Sequence, residues 1–255
     1  MLGRSQEQAL LTQALTDVQA GRVRAVLLVG DAGMGKTALL EATGKLALAR
    51  GFQVIHARAP EGGHEMAMAL VNDVVEPLHA LLDRPPADDR ELLDRVVHPG
   101  QPQIPRLAMA LDDLIRQASG RAPLLLLLDN LQWADEDSLA TLTLAISRLQ
   151  GVRALVVGAA RPLPEPDTRL LRWERIDVSE LAADAASALA RSVLGREIPT
   201  HQAERVAQAL GGCPLAIVEC RRLLTPAQCR GEEPLPDPLP LGERLLDALE
   251  GSRLP

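Results

Sequence analysis

Residues 25–37 of the chain read Ala25-Val-Leu-Leu-Val-Gly30-Asp-Ala-Gly-Met-Gly-Lys36-Thr37, an unbroken aliphatic run that leads into a glycine-rich segment. The aliphatic run is typical of a buried central strand in a parallel sheet. The segment from Gly30 to Thr37 fits the pattern G-x-x-x-x-G-K-[ST], in which glycines let the backbone curl so that successive N–H groups face a phosphate. A helical pattern follows at once. The stretch therefore predicts a strand, a phosphate-binding loop and a helix, in that order.

The side chains of this loop indicate a nucleoside triphosphate with Mg²⁺. Lys36 is placed to reach the β- and γ-phosphate oxygens and the Thr37 hydroxyl to ligate Mg²⁺, while the N-terminus of the following helix adds partial positive charge. Lysine occurs only at Lys36 and Lys45 in a chain otherwise rich in arginine, so a compact ammonium stands where the loop requires one. A glycine-rich turn without a ligand is the alternative, and the flanking strand and helix disfavour it. We expect ATP or ADP to bind at Gly30, Asp31, Ala32, Gly33, Met34, Gly35, Lys36, Thr37 and Ala38.

Apolar runs alternate with helical patterns over much of the chain, which predicts an α/β fold with a parallel sheet and crossover helices. The predicted strands are Ala25 to Val29, Gln53 to Ala57, Leu124 to Leu128, Ala154 to Val157 and Arg175 to Val178. Helices are predicted over Lys36 to Arg50, over Met66 to Leu82, and around the spaced apolar residues near Leu111 and Leu142. The proline-rich stretch from Ala59 to Pro105 is interpreted as an insertion that carries one or two helices.

The character of the chain changes near Ser179, after which Ala/Leu-rich helical patterns continue without a further strand. We predict three parts: residues 1–179 as a P-loop α/β domain, 180–225 as a helical subdomain of two or three helices, and 226–255 as a proline-rich linker with the start of another domain. The five prolines from Pro226 to Pro240 argue against regular structure there. A short helical stretch, Gly242 to Leu249, is predicted behind them.

A carboxylate directly follows the predicted strand Leu124 to Leu128. Asp129 should emerge at the sheet edge that carries the phosphate loop, where it can orient Mg²⁺ and its waters. The alternative is a plain Asp129-Asn130 turn, for which both residues are suited. Asn130 stands where many P-loop ATPases carry a second acid, and a neutral amide cannot act as a base. Hydrolysis is therefore predicted to be weak or absent.

Three acidic residues, Asp135, Glu136 and Asp137, allow two interpretations. We favour a role in capping and charging the N-terminus of the next helix. In the alternative, an active ATPase, Asp135 or Asp137 positions the water. Arg161 follows the fourth predicted strand at the same sheet edge and could sense a γ-phosphate, although its spacing fits an ordinary loop arginine equally well.

Composition and charge argue against several other classes of function. The net charge is −7 and aromatic residues make up 1% of the chain, so neither a basic surface for a nucleic-acid backbone nor stacking platforms for bases are expected. We therefore expect no direct nucleic-acid binding by this segment. The longest aliphatic run is too short to cross a membrane, the N-terminus lacks a signal pattern, and the cysteines show no paired spacing. These features predict a soluble cytoplasmic protein with no membrane partner.

Four stretches outside the phosphate loop match the pattern of one family. Leu2-Gly-Arg-Ser-Gln-Glu7 is similar to an opening G-R-E-x-E, and Leu124-Leu-Leu-Leu-Leu-Asp-Asn-Leu-Gln-Trp-Ala-Asp135 to the block hhhhDD-x-[HQ]-W-A-D. Val156-Val-Gly-Ala-Ala-Arg161-Pro resembles a sensor-arginine strand, and Gly212-Cys-Pro-Leu-Ala-Ile-Val-Glu219 a G-N-P-L-A-L-x-E helix start. Nearly the whole chain thus resembles the nucleotide-binding module of the STAND-class P-loop ATPases found in large ATP-binding LuxR-type bacterial transcription regulators.

The resemblance implies roles that spacing alone does not. Arg4 would lie near the adenine, Pro214 would press on the base from the helical subdomain, and Arg161 would report the γ-phosphate. A three-layer α/β/α fold is implied, with a five-stranded parallel sheet in the order 5-1-4-3-2. Self-association, or contact with further C-terminal domains, is also compatible with the resemblance. The departures are Ser5, Asn130 and Cys213, which replace the family's usual Glu, Asp and Asn.

Members of this family continue through a winged-helix domain and helical repeats to a DNA-binding helix-turn-helix. Here Pro240-Leu-Gly-Glu-Arg-Leu-Leu-Asp resembles the start of the winged helix, so the resemblance implies a fragment or truncated form without a DNA reader. Three hypotheses stay open at this point. They are a regulatory switch that holds ATP or ADP between sheet and helical subdomain, an active ATPase, and an interaction scaffold that binds nucleotide.

Overall fold

The computed structural model describes residues 1–63, 66–82, 103–162, 168–195 and 198–240. The strands in these ranges are β1 (Arg24–Val29), β2 (Gln53–Arg58), β3 (Leu124–Asp129), β4 (Ala154–Ala160) and β5 (Glu174–Asp177). The helices are α1 (Ser5–Gln19), α2 (Lys36–Ala49), α3 (Ala69–Leu81), α4 (Ile104–Arg121), α5 (Glu136–Arg148), α6 (Ala183–Leu194), α7 (Thr200–Ala209), α8 (Pro214–Leu223) and α9 (Pro226–Arg230).

The strands form one sheet in the order β2-β3-β4-β1-β5. The pairs β2–β3, β3–β4 and β4–β1 are parallel. This confirms the predicted α/β fold and the strand order 5-1-4-3-2, which is the same order read from the other edge. In the register of β2 and β3, Arg58 lies opposite Asp129. The carboxyl ends of these two strands therefore meet at one place, where ligands of open α/β sheets usually bind.

The aliphatic runs do not alternate between apolar and polar residues, which predicts burial on both faces of the sheet, and they are buried. Every residue of β3 and of β4 is buried. One core cluster combines residues of these strands with the apolar faces of α3, α4 and α5. A separate core is formed by α6, α7, α8 and α9 around residues such as Ile217 and Cys220.

The chain divides into two compact units. The sheet unit consists of Ala9–Val29 and Thr37–Ile176. The helical unit consists of Met1–Gln8, Gly30–Lys36 and Asp177–Pro255. The phosphate loop thus clusters with the helical unit, and Thr37, the next residue, clusters with the sheet unit.

The five predicted strands and the helices before and after them are confirmed, with ends that differ by a few residues. Helix α1 was not predicted, although Leu11, Ala14, Leu15 and Val18 are buried at helical spacing. The expectation of no regular structure between Pro226 and Pro240 is wrong at its start, because α9 occupies the first five residues. Proline is tolerated at the first helical position, and Thr225 forms a capping box with Gln228.

Two predictions fall outside the described residues. They are the helical stretch Gly242 to Leu249 and the part of the insertion between residues 83 and 102. The division into domains near Ser179 stays a prediction.

Candidate nucleotide-binding site

The phosphate loop, residues 30–36, bends at two glycines with left-handed backbone. Gly33 has a φ of +80° and Gly35 a φ of +91°, conformations that carry a strain of ~1–3 kcal/mol for most other residues. A methyl group added at Gly35 would meet no atom within 4 Å, so the loop is open on that side. The glycine spacing therefore produces a curled loop that faces free space, as a phosphate cradle requires.

Lys36 begins α2, and its ammonium is held against the phosphate loop. Its Nζ donates to the carbonyl oxygens of Gly30 at 2.5 Å and Asp31 at 2.8 Å. The ammonium and the helix N-terminus thus place positive charge at the same end of the loop. This arrangement suits an anionic ligand.

The phosphate loop is also bonded to the start of α8, within the helical unit. The N–H of Leu215 donates to the Gly33 carbonyl at 3.1 Å, and Cys213 Sγ lies 3.8 Å from the same oxygen. A methyl group on Gly33 would come within 3.0 Å of both Cys213 Sγ and Leu215 Cβ. Pro214 stands between these two contacts, at the first position of α8.

Arg4 is almost fully buried, with 3% of its surface exposed, and its guanidinium binds main-chain oxygens. Nη2 donates to the carbonyls of Met34 at 2.8 Å and Ser179 at 2.5 Å, and Nη1 donates to Glu7 at 3.0 Å. Arg4 thereby ties the N-terminal segment to the phosphate loop and to the segment after β5. The adenine contact that the resemblance implies for Arg4 stays a prediction.

Thr37 and Asp129 are brought together within the sheet unit. Thr37 Oγ1 donates to Asp129 Oδ2 at 2.8 Å, and the N–H of Asn130 donates to Oδ1 at 2.9 Å. Asp129 is 1% exposed. A hydroxyl and a carboxylate are hard oxygen ligands of the kind that Mg²⁺ takes. The residues predicted as metal ligands are therefore adjacent and of the right chemistry to hold Mg²⁺.

Asn130 adopts a left-handed backbone with a φ of 60°, which asparagine and aspartate tolerate better than other side chains. The guanidinium of Arg58 faces its carboxamide, and the amide oxygen accepts from Nε at 3.1 Å and from Nη2 at 3.2 Å. This orientation of the amide follows from the chemistry of the partner, because a guanidinium offers donors only.

Asp135 has the capping role that the sequence favours, and Glu136 and Asp137 lie in the first turn of the same helix. Asp135 is 5% exposed, and its Oδ1 accepts from the N–H of Ser138 at 2.8 Å and of Met68 at 3.0 Å. The first bond caps α5. The second holds Met68, whose φ of 61° is left-handed, at the start of α3. These contacts of Asp135 are structural.

The main chain of Arg161 is held by the turn that follows β3. Its N–H donates to Gln132 Oε1 at 3.1 Å, which links the ends of β3 and β4. Gln132 and Arg58 are the site residues that sequence reasoning missed. Both lie at or just beyond the carboxyl end of a strand, as Asp129 and Arg161 do, so the same edge argument could have found them.

Comparison with protein families identifies the class. A family model described as the AAA ATPase domain matches residues 1–157, more than half of the chain. The chain belongs to this family, and membership implies nucleotide binding.

Solved structures with the same fold share little sequence with this chain. A RuvB mutant from Thermotoga maritima is 14% identical, with a TM-score of 0.57, over 98% of this chain and 70% of that one. A chain of the E. coli HORMA:CdnC:Trip13 complex is 16% identical, with a TM-score of 0.54, over 83% and 74%. The replication initiator DnaA bound to AMPPCP and single-stranded DNA is 16% identical, with a TM-score of 0.56, over 87% and 60%. Curated proteins yield no match.

The described ranges lack two kinds of feature. No helix within them has both the length and the apolar character of a membrane span. No group of three or more His, Cys, Asp or Glu side chains within them is arranged to hold a metal ion. The Mg²⁺ ligands considered above include only one protein carboxylate, as is usual where phosphates and water complete the coordination.

Proposed function

We propose that this chain is a Mg²⁺-dependent ATP/ADP-binding switch module of the STAND type, from a LuxR-type transcription regulator, with weak or absent hydrolysis. The observation that carries the switch role is the hydrogen bond from the Leu215 N–H to the Gly33 carbonyl. Through it, the loop that would hold the phosphates is bonded directly to a helix of the helical unit.

Binding is supported by the residues of the loop and of the metal pair. Lys36 and the N–H groups of the loop would hold the phosphates, and Thr37 and Asp129 would hold Mg²⁺. The ion, when bound, neutralises negative charge on the phosphate oxygens. The replication initiator DnaA, whose fold is similar, has AMPPCP bound, which supports the proposal of a nucleoside triphosphate as ligand here.

Weak hydrolysis is supported by Asn130 and Asp135. The amide of Asn130 cannot take a proton from water, and its oxygen is bonded to Arg58. Asp135 and Asp137 are the acidic substitutes that the sequence offers, and Oδ1 of Asp135 already binds two main-chain N–H groups. Bound ATP would therefore persist. A switch that is reset by nucleotide exchange or by slow hydrolysis requires such persistence.

Signal transmission requires that ATP and ADP interact differently with the protein. A γ-phosphate adds charge that Lys36 can contact and that Arg161, by resemblance, would report. A shift of the loop would move the Gly33 carbonyl and hence the start of α8, where Pro214 lies.

The LuxR-type assignment rests on the sequence blocks that end at Asp135 and Glu219. A cytoplasmic location is part of the same proposal. The net negative charge of the chain argues against direct binding of nucleic acid by this segment.

The test is retention of labelled ATP. Purified protein is mixed with substoichiometric labelled ATP and Mg²⁺, and the bound nucleotide is identified over hours. Lys36→Ala should weaken binding at least about tenfold, because a charged hydrogen-bond donor to phosphate is lost. Lys45→Ala is the matched control, since it removes the other lysine of the chain.

Each outcome is informative. Intact ATP that stays bound to the wild type and to Lys45→Ala supports the switch. Rapid conversion to ADP would instead support an active ATPase, the alternative in which another group positions the water. Equal binding by Lys36→Ala and wild type would show that the phosphate loop is not the site.

A further inference from the structure

We infer that Arg4 is a positioning residue of the phosphate loop: by holding the Met34 carbonyl, its guanidinium aims the N–H of Gly35 at a bound phosphate. This role differs from the adenine contact that the resemblance implies for Arg4. The inference rests on the proposed function, because it concerns how the same loop binds the phosphates of the nucleotide.

The guanidinium of Arg4 is anchored at several of its donors within the helical unit. Its Nη2 donates to the carbonyls of Met34 at 2.8 Å and Ser179 at 2.5 Å, and Nη1 donates to Glu7 at 3.0 Å. The side chain of Arg4 is 3% exposed and that of Glu7 is 14% exposed. Hydrogen bonds from a charged donor are stronger than neutral ones. The group that donates to Met34 is therefore both buried and held in place by its other bonds.

The backbone that carries Arg4 is closely packed. A methyl group added at Gly3 would lie 2.4 Å from Ala185 Cβ and 2.9 Å from Leu181 Cδ2. The residue before Arg4 thus lies directly against the start of α6, in the same unit. The N–H of Leu181 in turn donates to the Gly212 carbonyl at 3.0 Å. Arg4 therefore reaches the phosphate loop from a backbone that is itself fixed.

The peptide that joins Met34 to Gly35 carries this restraint to the other side of the loop. The peptide bond is trans, and in a planar trans peptide the C=O and N–H point in opposite directions. A Met34 carbonyl that faces Arg4 therefore turns the Gly35 N–H away from Arg4. The preceding carbonyl, that of Gly33, is held by the Leu215 N–H at 3.1 Å. Two successive peptides of the loop are thus oriented by bonds to their oxygens.

The N–H groups of a phosphate loop are its phosphate ligands. Arg4 would thus act on the phosphates without touching them and independently of the base. Without its bond, the Met34 peptide is free to rotate, and the entropic cost of fixing this peptide again reduces the free energy of binding. Any polyphosphate should therefore lose affinity, whether or not it carries adenine.

The first test observes this peptide directly, without a ligand. Of the five methionines of the sequence, only Met34 is followed by glycine, so labelling with carbonyl-¹³C methionine and ¹⁵N glycine gives a single HNCO signal. This signal reports the Met34 carbonyl and the Gly35 N–H together. We expect Arg4→Gln to move its ¹³C shift to a lower value, as the loss of a hydrogen bond to a carbonyl does. Arg4→Lys, which keeps the charge but loses the planar fork of donors, should move it as well.

The matched control is Arg230→Gln, which removes another arginine of the helical unit, one that pairs with Glu232 at 2.7 Å on the surface. It should leave the HNCO signal in place. Arg4→Lys is the variant to interpret if Arg4→Gln does not fold. A signal at the wild-type position in the folded Arg4 variant would overturn the inference.

The second test compares ATP with inorganic tripolyphosphate, which has the phosphates but no base, each in the presence of Mg²⁺. Arg4→Gln should weaken the binding of both ligands about tenfold and by the same factor, the effect of one hydrogen bond from a charged group. Calorimetric titration measures affinity separately from the number of sites. An unfolded fraction would lower the number of sites, whereas a misdirected N–H lowers the affinity. Arg230→Gln should bind both ligands as the wild type does.

The titrations also have outcomes that contradict the inference. A loss of affinity for ATP alone would show that Arg4 contacts the base, and an unchanged affinity for both ligands would show that the peptide needs no help from Arg4. An equal loss together with an unmoved HNCO signal would show that Arg4 contacts a phosphate itself. If the wild type binds neither ATP nor tripolyphosphate, the proposed function fails and the phosphate contact falls with it, while the HNCO signal still decides whether Arg4 orients the peptide.

Discussion

The carboxylate of Asp129 has a hydrogen-bond partner on each oxygen, Thr37 on one and the Asn130 main chain on the other. A buried carboxylate held in this way is costly to create and strongly oriented. A fixed carboxylate of this kind is suited to bind a cation such as Mg²⁺. The expectation at the scale of single residues is therefore that Asp129 determines the Mg²⁺ dependence of nucleotide binding.

Asp129→Asn should lower ATP affinity in the presence of Mg²⁺ by roughly tenfold, because a charged ligand to the ion becomes neutral. Affinity in EDTA should change little, since the amide keeps the shape of the side chain. Titration of a fluorescent ATP analogue with and without Mg²⁺ measures both values. A variant that binds as the wild type does in both conditions would rule out Asp129 as a ligand to the ion.

Gly33 and Gly35 offer a matched pair that separates backbone strain from contact with α8. Both have positive φ, but only Gly33 has neighbours near an added methyl group, at 3.0 Å. Gly33→Ala should therefore reduce the free energy of unfolding by ~1 kcal/mol or more beyond the reduction in Gly35→Ala. Urea denaturation of the two variants measures the difference. Equal losses would mean that the loop can move away from α8 without cost.

At the scale of elements, one carboxylate serves two helices. Asp135 caps α5 through Ser138 and holds the left-handed Met68 that precedes α3. Loss of a cap costs ~1 kcal/mol, and a buried N–H left without a partner costs ~1–3 kcal/mol. Asp135→Ala should therefore lower the free energy of unfolding by about 2–4 kcal/mol.

Asp137→Ala is the control for this prediction, because it removes a nearby carboxylate from the first turn of the same helix. Its effect should stay within about 0.5 kcal/mol, the usual size for a charge at a helix N-terminus. Chemical denaturation of both variants provides the comparison. Similar losses in the two would show that Asp135 acts through charge and not through its hydrogen bonds.

The elements themselves were predictable to the extent that they carry a strong local pattern. The runs Leu124–Asp129 and Ala154–Ala160 lack polar residues until their ends, and this alone marks buried parallel strands. Helix α9 was missed because the five prolines from Pro226 to Pro240 were together taken as evidence against regular structure. Pro226 stands at the first helical position, where proline is well tolerated.

Contacts between distant segments were the part of the site that could not be predicted. The motif predicted Lys36 and Thr37, and the edge argument predicted Asp129. The bond from Arg4 to Ser179 joins residues 175 positions apart, and no local pattern encodes it. Arg58 meets Asn130 only because β2 and β3 are neighbours in a particular register, which is a property of the folded sheet.

At the scale of the whole molecule, the free energy of unfolding should fall at alkaline pH because the folded protein contains a buried thiol. Burial, with a smaller effect of Cys229, raises the pKa of Cys220 from 9.0 to about 11. The unfolded chain then releases this proton at lower pH than the folded protein does. The free energy of unfolding should therefore fall between about pH 9 and about pH 11, by on the order of 2 kcal/mol.

Urea denaturation across this pH range checks the prediction. Cys220→Ala should have a smaller loss of stability with rising pH than the wild type, whatever its stability at neutral pH. Cys213→Ala, which removes a partly exposed cysteine, should keep the wild-type dependence. The same pH dependence in all three proteins would mean that Cys220 is not the responsible group.

The left-handed backbone at Asn130 has a consequence for how this chain can evolve. Of the twenty amino acids, glycine, asparagine and aspartate best accept that conformation, so few residues can replace Asn130 without strain. One base change converts an asparagine codon into an aspartate codon. A lineage could thus gain or lose a carboxylate at this position in a single mutational step while its fold is preserved.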